Sequence, residues 1–285
     1  MKLATYKDGS RNGQLVVVSR DLSTAHYATG VAHTLQQALD DWNFIAPQLQ
    51  DLYVTLNQGK ARHTFSFDPR MCMAPLPRPQ GHVWAGEPPV PARAEGWRGA
   101  VAHLHWPNRP GVYTQAALAA VLGDVAAATP ADEALEGVRL LALMHAVVAP
   151  LWTEDARRWP LEAAFAPVAV TPDEAGSAWA RGRLHLPLQL QVGRQRARTV
   201  DLASAPWGLG EVLCHACGDT GLGAGAVVGL PLADVLVEPP LTASNDEVDT
   251  MDGAQAGRLA IRLDVCGREG VSLFGALDHD VLLPE

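Results

Sequence analysis

Leu135-Glu136-Gly137-Val138-Arg139-Leu140-Leu141-Ala142-Leu143-Met144-His145-Ala146-Val147-Val148 is the stretch on which the fold turns. From Val138 to Val148 only Arg139 and His145 interrupt an apolar run that shows no polar alternation. Such a run reads as a strand buried on both faces. The most apolar part, Leu140 to Trp152, is broken by His145 and Pro150. It is also shorter than the ~20 residues needed to cross a bilayer, so it belongs to a core.

Downstream the reading stays mostly β. Leu184, Leu186, Leu188, Leu190 and Val192 alternate with polar partners, the period-2 pattern of a half-buried strand, and Pro187 pushes that strand toward a sheet edge. Arg258–Val265 alternates again, and 267–270 reads as a turn leading to Val271-Ser272-Leu273-Phe274, a closing hairpin. Thr171-Pro172-Asp173-Glu174 combines a capping Thr, Pro at the first helical position and Glu at the third, so a turn or two of helix should follow. Residues 208–217 are a second helix candidate.

Upstream, Leu3–Tyr6 and Gln14–Ser19 read as short strands around Asp8-Gly9 and Asn12-Gly13 turns. Thr34-Leu35-Gln36-Gln37 is a capping box that should start a helix. Leu35, Leu39, Trp42, Ala46, Leu49, Tyr53 and Leu56 form its apolar stripe, and Gly59 is its stop. Pro47 within that pattern predicts a kink or a two-part helix. Pro75, Pro77, Pro79, Pro88, Pro89 and Pro91 crowd a stretch that can hold neither regular helix nor a central strand. The expected organisation is a domain at 1–79, a Pro-rich connector at 80–96 and a second domain at 97–285. The expected class is mainly β, α+β.

The chain has 285 residues, 48% apolar, with 22 Lys+Arg against 31 Asp+Glu, a net charge of −9. That balance fits a folded globular protein and is the wrong sign for gripping nucleic acid or anionic membranes. Met1–Gly9 lack the apolar stretch of a secretory signal. Four cysteines, Cys72, Cys214, Cys217 and Cys266, are too few for a disulfide scaffold, so a cytoplasmic location is expected.

No motif announces an active site. Cys214-His215-Ala216-Cys217 has the spacing of zinc and redox sites but lacks two further ligands, and reads as two cysteines on a small apolar helix. His103-Leu104-His105 puts two imidazoles on one strand face, able to grip a metal with one more ligand, against the plainer reading of a partly exposed strand face. Asp246, Glu247, Asp249 and Asp252 do not fit a calcium loop and read as a solvated acidic loop. Gly218, Gly221, Gly223 and Gly225 lack the context of a dinucleotide fingerprint.

Several blocks are similar to the bacterial fumarylacetoacetate hydrolase family with its N-terminal domain. They are Met1–Thr5 with Lys7–Ser10, Leu15–Leu22, Thr34–Gln36 with Ala38–Trp42, and Phe67–Pro69 leading to Ala74–Arg78. Leu135–Leu140, Phe165–Glu174 and Gly267-Arg268 with Ser272–Ala276 continue the set in the family's order. The resemblance implies a mixed β-roll C-terminal domain, here shortened. It also implies a dimeric habit and metal-dependent hydrolysis of β-diketo or oxo acids. There Mg²⁺ or Ca²⁺ clamps the keto oxygens, and a His paired with an acid activates water.

Carried over residue by residue, the family's Glu-x-Glu metal pair falls on Gln115 and Ala117, and its metal Asp on Ala146. Its Lys-Pro falls near Trp159-Pro160 without a lysine, and its Gly-Thr-Val-Ser-Asn loop on Pro231–Val235 without the threonine. The segment that carries the catalytic His is replaced by Pro79–Gly86, where His82 is the one substitute and has no acid near it in sequence. No Asp or Glu lies between Val112 and Leu122 or between Val138 and Leu151, so the absence does not depend on register.

The expectation is a family-fold protein that is catalytically inactive or strongly impaired and holds no metal cofactor. It would act, if at all, through ligand or partner binding, as a homodimer or in a heteromer with an intact family member. The alternative is an active hydrolase with a rearranged site drawn from His82, His103, His105 or His145.

Overall fold

The computed structural model describes residues 1–85, 90–91, 97–150, 158–236, 257–267 and 270–284. The N-terminal part supplies β1 (Lys2–Tyr6), β2 (Gln14–Val18), β3 (Thr24–Tyr27), helices α1 (Leu35–Asp40) and α2 (Trp42–Asn57), and β4 (Phe65–Ser66). There follow β5 (Gly81–Trp84), β6 (Val90–Pro91), β7 (Trp97–Arg98), β8 (Leu104–His105), β9 (Tyr113–Leu122), the short α3 (Ala131–Ala134), β10 (Val138–Pro150), β11 (Arg158–Phe165) and β12 (Ala169–Val170). The last part holds β13 (Trp179–Ala180), β14 (Arg183–Leu184), β15 (Pro187–Val192), β16 (Arg198–Asp201), α4 (Leu209–Cys217), β17 (Ala226–Leu236), β18 (Arg258–Val265) and β19 (Leu277–Leu282).

Twelve strands make one sheet, in the order β4-β3-β2-β1-β12-β10-β9-β17-β5-β6, with β11 on β10 and β7 on β11. Five others form a second sheet, β16-β15-β18-β19-β8. Strand β10 is central. Leu141, Leu143 and Val147 face one core, shared with Leu188, Ile261 and Val281 of the second sheet. Leu140, Ala142, Met144 and Ala146 face the other, shared with Leu15, Val17 and the buried Leu39, Leu49 and Leu56 of the helices. The unbroken apolar run is therefore the signature of a strand packed on both sides.

The N-terminal strands join this sheet through Lys2 opposite Val170 and Leu3 opposite Ala169. Glu174 reinforces the join. It takes hydrogen bonds from the Tyr53 hydroxyl at 2.6 Å and from Arg20 Nε at 3.2 Å. Burial works to raise its pKa, but the Tyr53 hydroxyl, the Met1 ammonium and Arg20 together hold it below the usual carboxylate range.

Four expectations change in detail. The helix divides at Asp41 (φ −134°, ψ 48°), not at Pro47, which lies inside α2; the carbonyl that the missing N–H would have met belongs to exposed Asn43. Strand β15 is interior, between β16 and β18, because Pro187 is its first residue, where no ladder N–H is required. The partner of β18 is β19 rather than 271–274, which makes only a single bridge, Ser272 with Cys266. Thr171 precedes a 3₁₀ helix, Pro172–Ala178, but its hydroxyl does not cap it and meets the Met1 amino group at 2.5 Å instead. Thr34 does form the capping box with Gln37. Within the 80–96 stretch, Gly81–Trp84 pair in parallel with β17.

Replacing Tyr53 by Phe removes a hydrogen bond to an ionised, half-buried carboxylate, a change of about 1.5–3 kcal/mol. Urea denaturation should show a loss in that range; an unchanged midpoint would mean that Glu174 holds the N-terminal helices without it.

Candidate functional site

The positions singled out by the resemblance lie on neighbouring strands. In the β9·β10 register Gln115 stands opposite Ala146, and Ala117 opposite Met144. Strand β11 extends these rows with Ala163 and Phe165, and β17 extends them with Asp234 and Pro231. Side chains alternate along a strand, so Gln115, Ala117 and Ala146 share the face turned away from the second sheet. Three carboxylates placed there could converge on one cation. The side chains present are one amide and two fully buried methyl groups. Hard cations such as Mg²⁺ and Ca²⁺ take several oxygen ligands, and this set does not fit them. Gln115 Nε2 instead donates to Asp234 Oδ1 at 2.7 Å, and the Asp234 carbonyl accepts from Arg198.

Aromatic rings occupy the same face. Trp84 stands opposite Gly229. A Cβ on Gly229 would lie 2.6 Å from the Trp84 ring, so the indole rests directly on backbone. His82, two residues earlier on β5, meets Trp97 edge-on with centroids 4.7 Å apart, and Trp97 meets Phe165 at 4.7 Å. His82 is 3% exposed, and neither ring nitrogen has a hydrogen-bond partner among the described residues. Burial pushes its pKa down to about 3, so it is neutral at pH 7, and no carboxylate among the described residues orients it.

The other histidines fall elsewhere. His145 lies between the two sheets, where its Nδ1 is 2.8 Å from His279 Nε2 in a fully enclosed pair. Burial holds both rings neutral: His145, with His279 beside it, lies well below the ordinary range, and His279 is held at about 4 against the opposing Ala102 carbonyl. His105 Nδ1 lies 3.1 Å from Glu162 Oε2, and Arg98 donates to Glu162 Oε1 at 2.9 Å. His103 Nδ1 is 3.7 Å from Asp280. Cys214 and Cys217 lie on α4, where the Cys217 thiol donates to the Cys214 carbonyl. Among the described residues no three His, Cys, Asp or Glu side chains are grouped to hold a metal ion. The acidic stretch 246–252 lies outside the described residues. At the far end of β9 and β10, Asp124, Glu133, Glu136 and Arg139 line a cleft of about 330 Å³.

Sequence reasoning did not single out Asp234, Glu162 or His279. Each acquires its setting from a partner 57 to 134 residues away, and no local spacing signals such a pair.

Three neutral buried histidines make stability depend on pH. Their folded pKa values are depressed, so below about pH 6.5 the unfolded chain binds protons that the fold excludes. Their contribution is complete above that value and is lost as the pH falls from about 6.5 through the folded values of about 4 for His279 and about 3 for His82. The slope between pH 5.5 and 4.5 should approach about 4 kcal/mol per pH unit. Urea denaturation at stepped pH checks this, and His82→Phe should remove about a third of the slope.

Residues 1–78 match the family described as fumarylacetoacetase N-terminal domain 2. No curated protein sequence matches the chain. Among solved structures, maleylpyruvate hydrolase from Sphingobium sp. SYK-6 is similar with a TM-score of 0.69 and 14% identity over 100% of both chains. That hydrolase has also been solved in complex with manganese(II) and pyruvate. A probable 2-hydroxyhepta-2,4-diene-1,7-dioate isomerase from Mycobacterium abscessus gives 0.66 at 14% identity over 100% of both chains. Fumarylacetoacetate hydrolase from Exiguobacterium antarcticum gives 0.63 at 16% identity, again over 100% of both. No helix among the described residues is long and apolar enough to cross a membrane. The chain thus has the fold of these hydrolases and isomerases throughout, and a fumarylacetoacetase-type N-terminal sequence over residues 1–78.

Proposed function

We propose that the chain is a fumarylacetoacetate hydrolase-family protein that has lost metal-dependent C–C bond hydrolysis and acts through binding a ligand or a partner. The N-terminal match and the shared fold support the family. The loss of chemistry rests on the row of Gln115, Ala117 and Ala146 under aromatic cover. A divalent cation in a family-type site would polarise the substrate's keto oxygens and stabilise the departing enolate. Here the side chains of Ala117 and Ala146 offer no lone pair, and the Gln115 amide is engaged with Asp234. His82 is a poor substitute for a paired base, because it is buried and no acid among the described residues orients it. We place the protein in the cytoplasm, as a homodimer or as the partner of an intact family member.

Calorimetric titration with Mg²⁺, Mn²⁺ and Ca²⁺, beside assays of acylpyruvate hydrolysis, should give neither saturable heat nor turnover. Metal binding together with turnover would overturn the proposal in favour of a hydrolase with a rearranged site. The dryness of the face can be checked separately. Ala117→Glu would bury an unpaired carboxyl group and should lower the unfolding free energy by about 3 kcal/mol or more. Unchanged stability of the Ala117→Glu variant would mean that water reaches the row.

A further inference from the structure

We infer that His103 and His105 form an exchangeable two-histidine site for a borderline transition-metal dication of the Zn²⁺, Ni²⁺ and Cu²⁺ class. Leu104 between them is fully buried, whereas the side chains of His103 and His105 are 43% and 56% exposed. The exposed-buried-exposed pattern over 103–105 puts both imidazoles on the outer side of the chain, His105 on β8, the edge strand of the second sheet, and His103 just before it. Residues two apart on a strand are separated by about 6.6 Å, close enough for two imidazoles to converge on one ion.

The second observation concerns the other ring nitrogen. A metal-ligating histidine almost always gives its second ring N–H to a carboxylate or carbonyl, which sets the tautomer and aims the ligating lone pair. The His105 ring has that arrangement here, and the His103 ring has a carboxylate near it beyond hydrogen-bond distance. His105 Nδ1 lies 3.1 Å from Glu162 Oε2, the oxygen that also accepts the His105 backbone N–H at 2.9 Å. His103 Nδ1 faces Asp280 Oδ2 at 3.7 Å. Arg98 bonds the second oxygen of Glu162, and Arg258 Nη1 lies 4.0 Å from Asp280. Arg98 thus occupies Glu162, which serves as an orienting group rather than a ligand. With Nδ1 on the carboxylate side, Nε2 of each ring has no hydrogen-bond partner among the described residues and is the atom offered to the ion.

Imidazole nitrogen selects Zn²⁺, Ni²⁺ or Cu²⁺ over Mg²⁺ or Ca²⁺. No third side chain completes the set among the described residues. Water or an added chelating ligand fills the remaining positions, which makes the ion exchangeable, unlike the closed four-ligand sites that hold structural zinc. This site does not depend on the proposal above, since it uses other residues and another class of cation.

Titration of the full chain with NiCl₂ and ZnCl₂ in a non-chelating buffer, followed by calorimetry and by Ni²⁺-induced broadening of imidazole resonances, tests the assignment. One ion per chain is expected, with broadening at His103 and His105. His103→Gln and His105→Gln are exposed substitutions, and each should weaken binding at least tenfold. Glu162→Gln should weaken it about 10- to 100-fold, the usual effect of removing an orienting carboxylate. Cys214→Ser with Cys217→Ser should change nothing. No binding at millimolar Ni²⁺, binding indifferent to both histidine variants, or binding lost with the cysteines would overturn the site. Indifference to Glu162→Gln would overturn the orienting role.

Discussion

A strand with both faces in an apolar core has no water to satisfy its backbone, so its N–H and C=O groups must find protein partners along both edges. Strand β10 is under that constraint from Leu140 to Ala149. One edge is taken by β9 nearly throughout, and the other is divided between β12 at Leu141 and β11 from Met144 onward. Because β12 also pairs with β1, the demand of β10 for partners attaches the N-terminal strands to the rest of the chain. The continuity of the twelve-stranded sheet follows from that demand, and Glu174 strengthens an attachment that the backbone already requires.

The local elements were largely legible in the sequence, because each is written by near neighbours. The Thr34 and Gln37 capping box, the 138–148 run, the 258–265 alternation and the helix at 209–217 all appear where their patterns lie. What the pattern does not carry is partner choice. Periodicity in Arg258–Val265 says that a strand exists, but Leu277–Leu282 competes with the nearer 271–274 for its edge and wins by a longer matched register. Pro187 shows the same limit. A proline forbids a ladder bond only at its own N–H, and the first residue of a strand can forgo that bond.

The candidate site was legible in composition and not in arrangement. Reading Gln115, Ala117 and Ala146 from the chain identifies the side chains, and the β9·β10 register puts them on one face. The ring cover supplied by Trp84, Trp97 and Phe165 comes from three strands that are distant in sequence. The histidines illustrate the same point. Sequence spacing pairs His103 with His105, yet the direct imidazole contact in the interior joins His145 to His279, and the carboxylate at His105 belongs to β11. Long-range pairs of this kind leave no mark in a single sequence, since neither partner alters the local propensity of the other.

The contact between Trp84 and Gly229 also bears on how the chain can change. A glycine under an indole leaves no room for even a methyl group at position 229 unless the ring leaves first. An acid acquired singly at 117 or 146 would bring a charge into a dry enclosure, where the one carboxylate of the row among the described residues, Asp234, is already bonded to Gln115. Each such step is costly before the next can help, so the face is held by a kinetic trap in sequence space. Drift can vary the exposed strand edges, while this interior stays confined to apolar residues that fit beneath the rings.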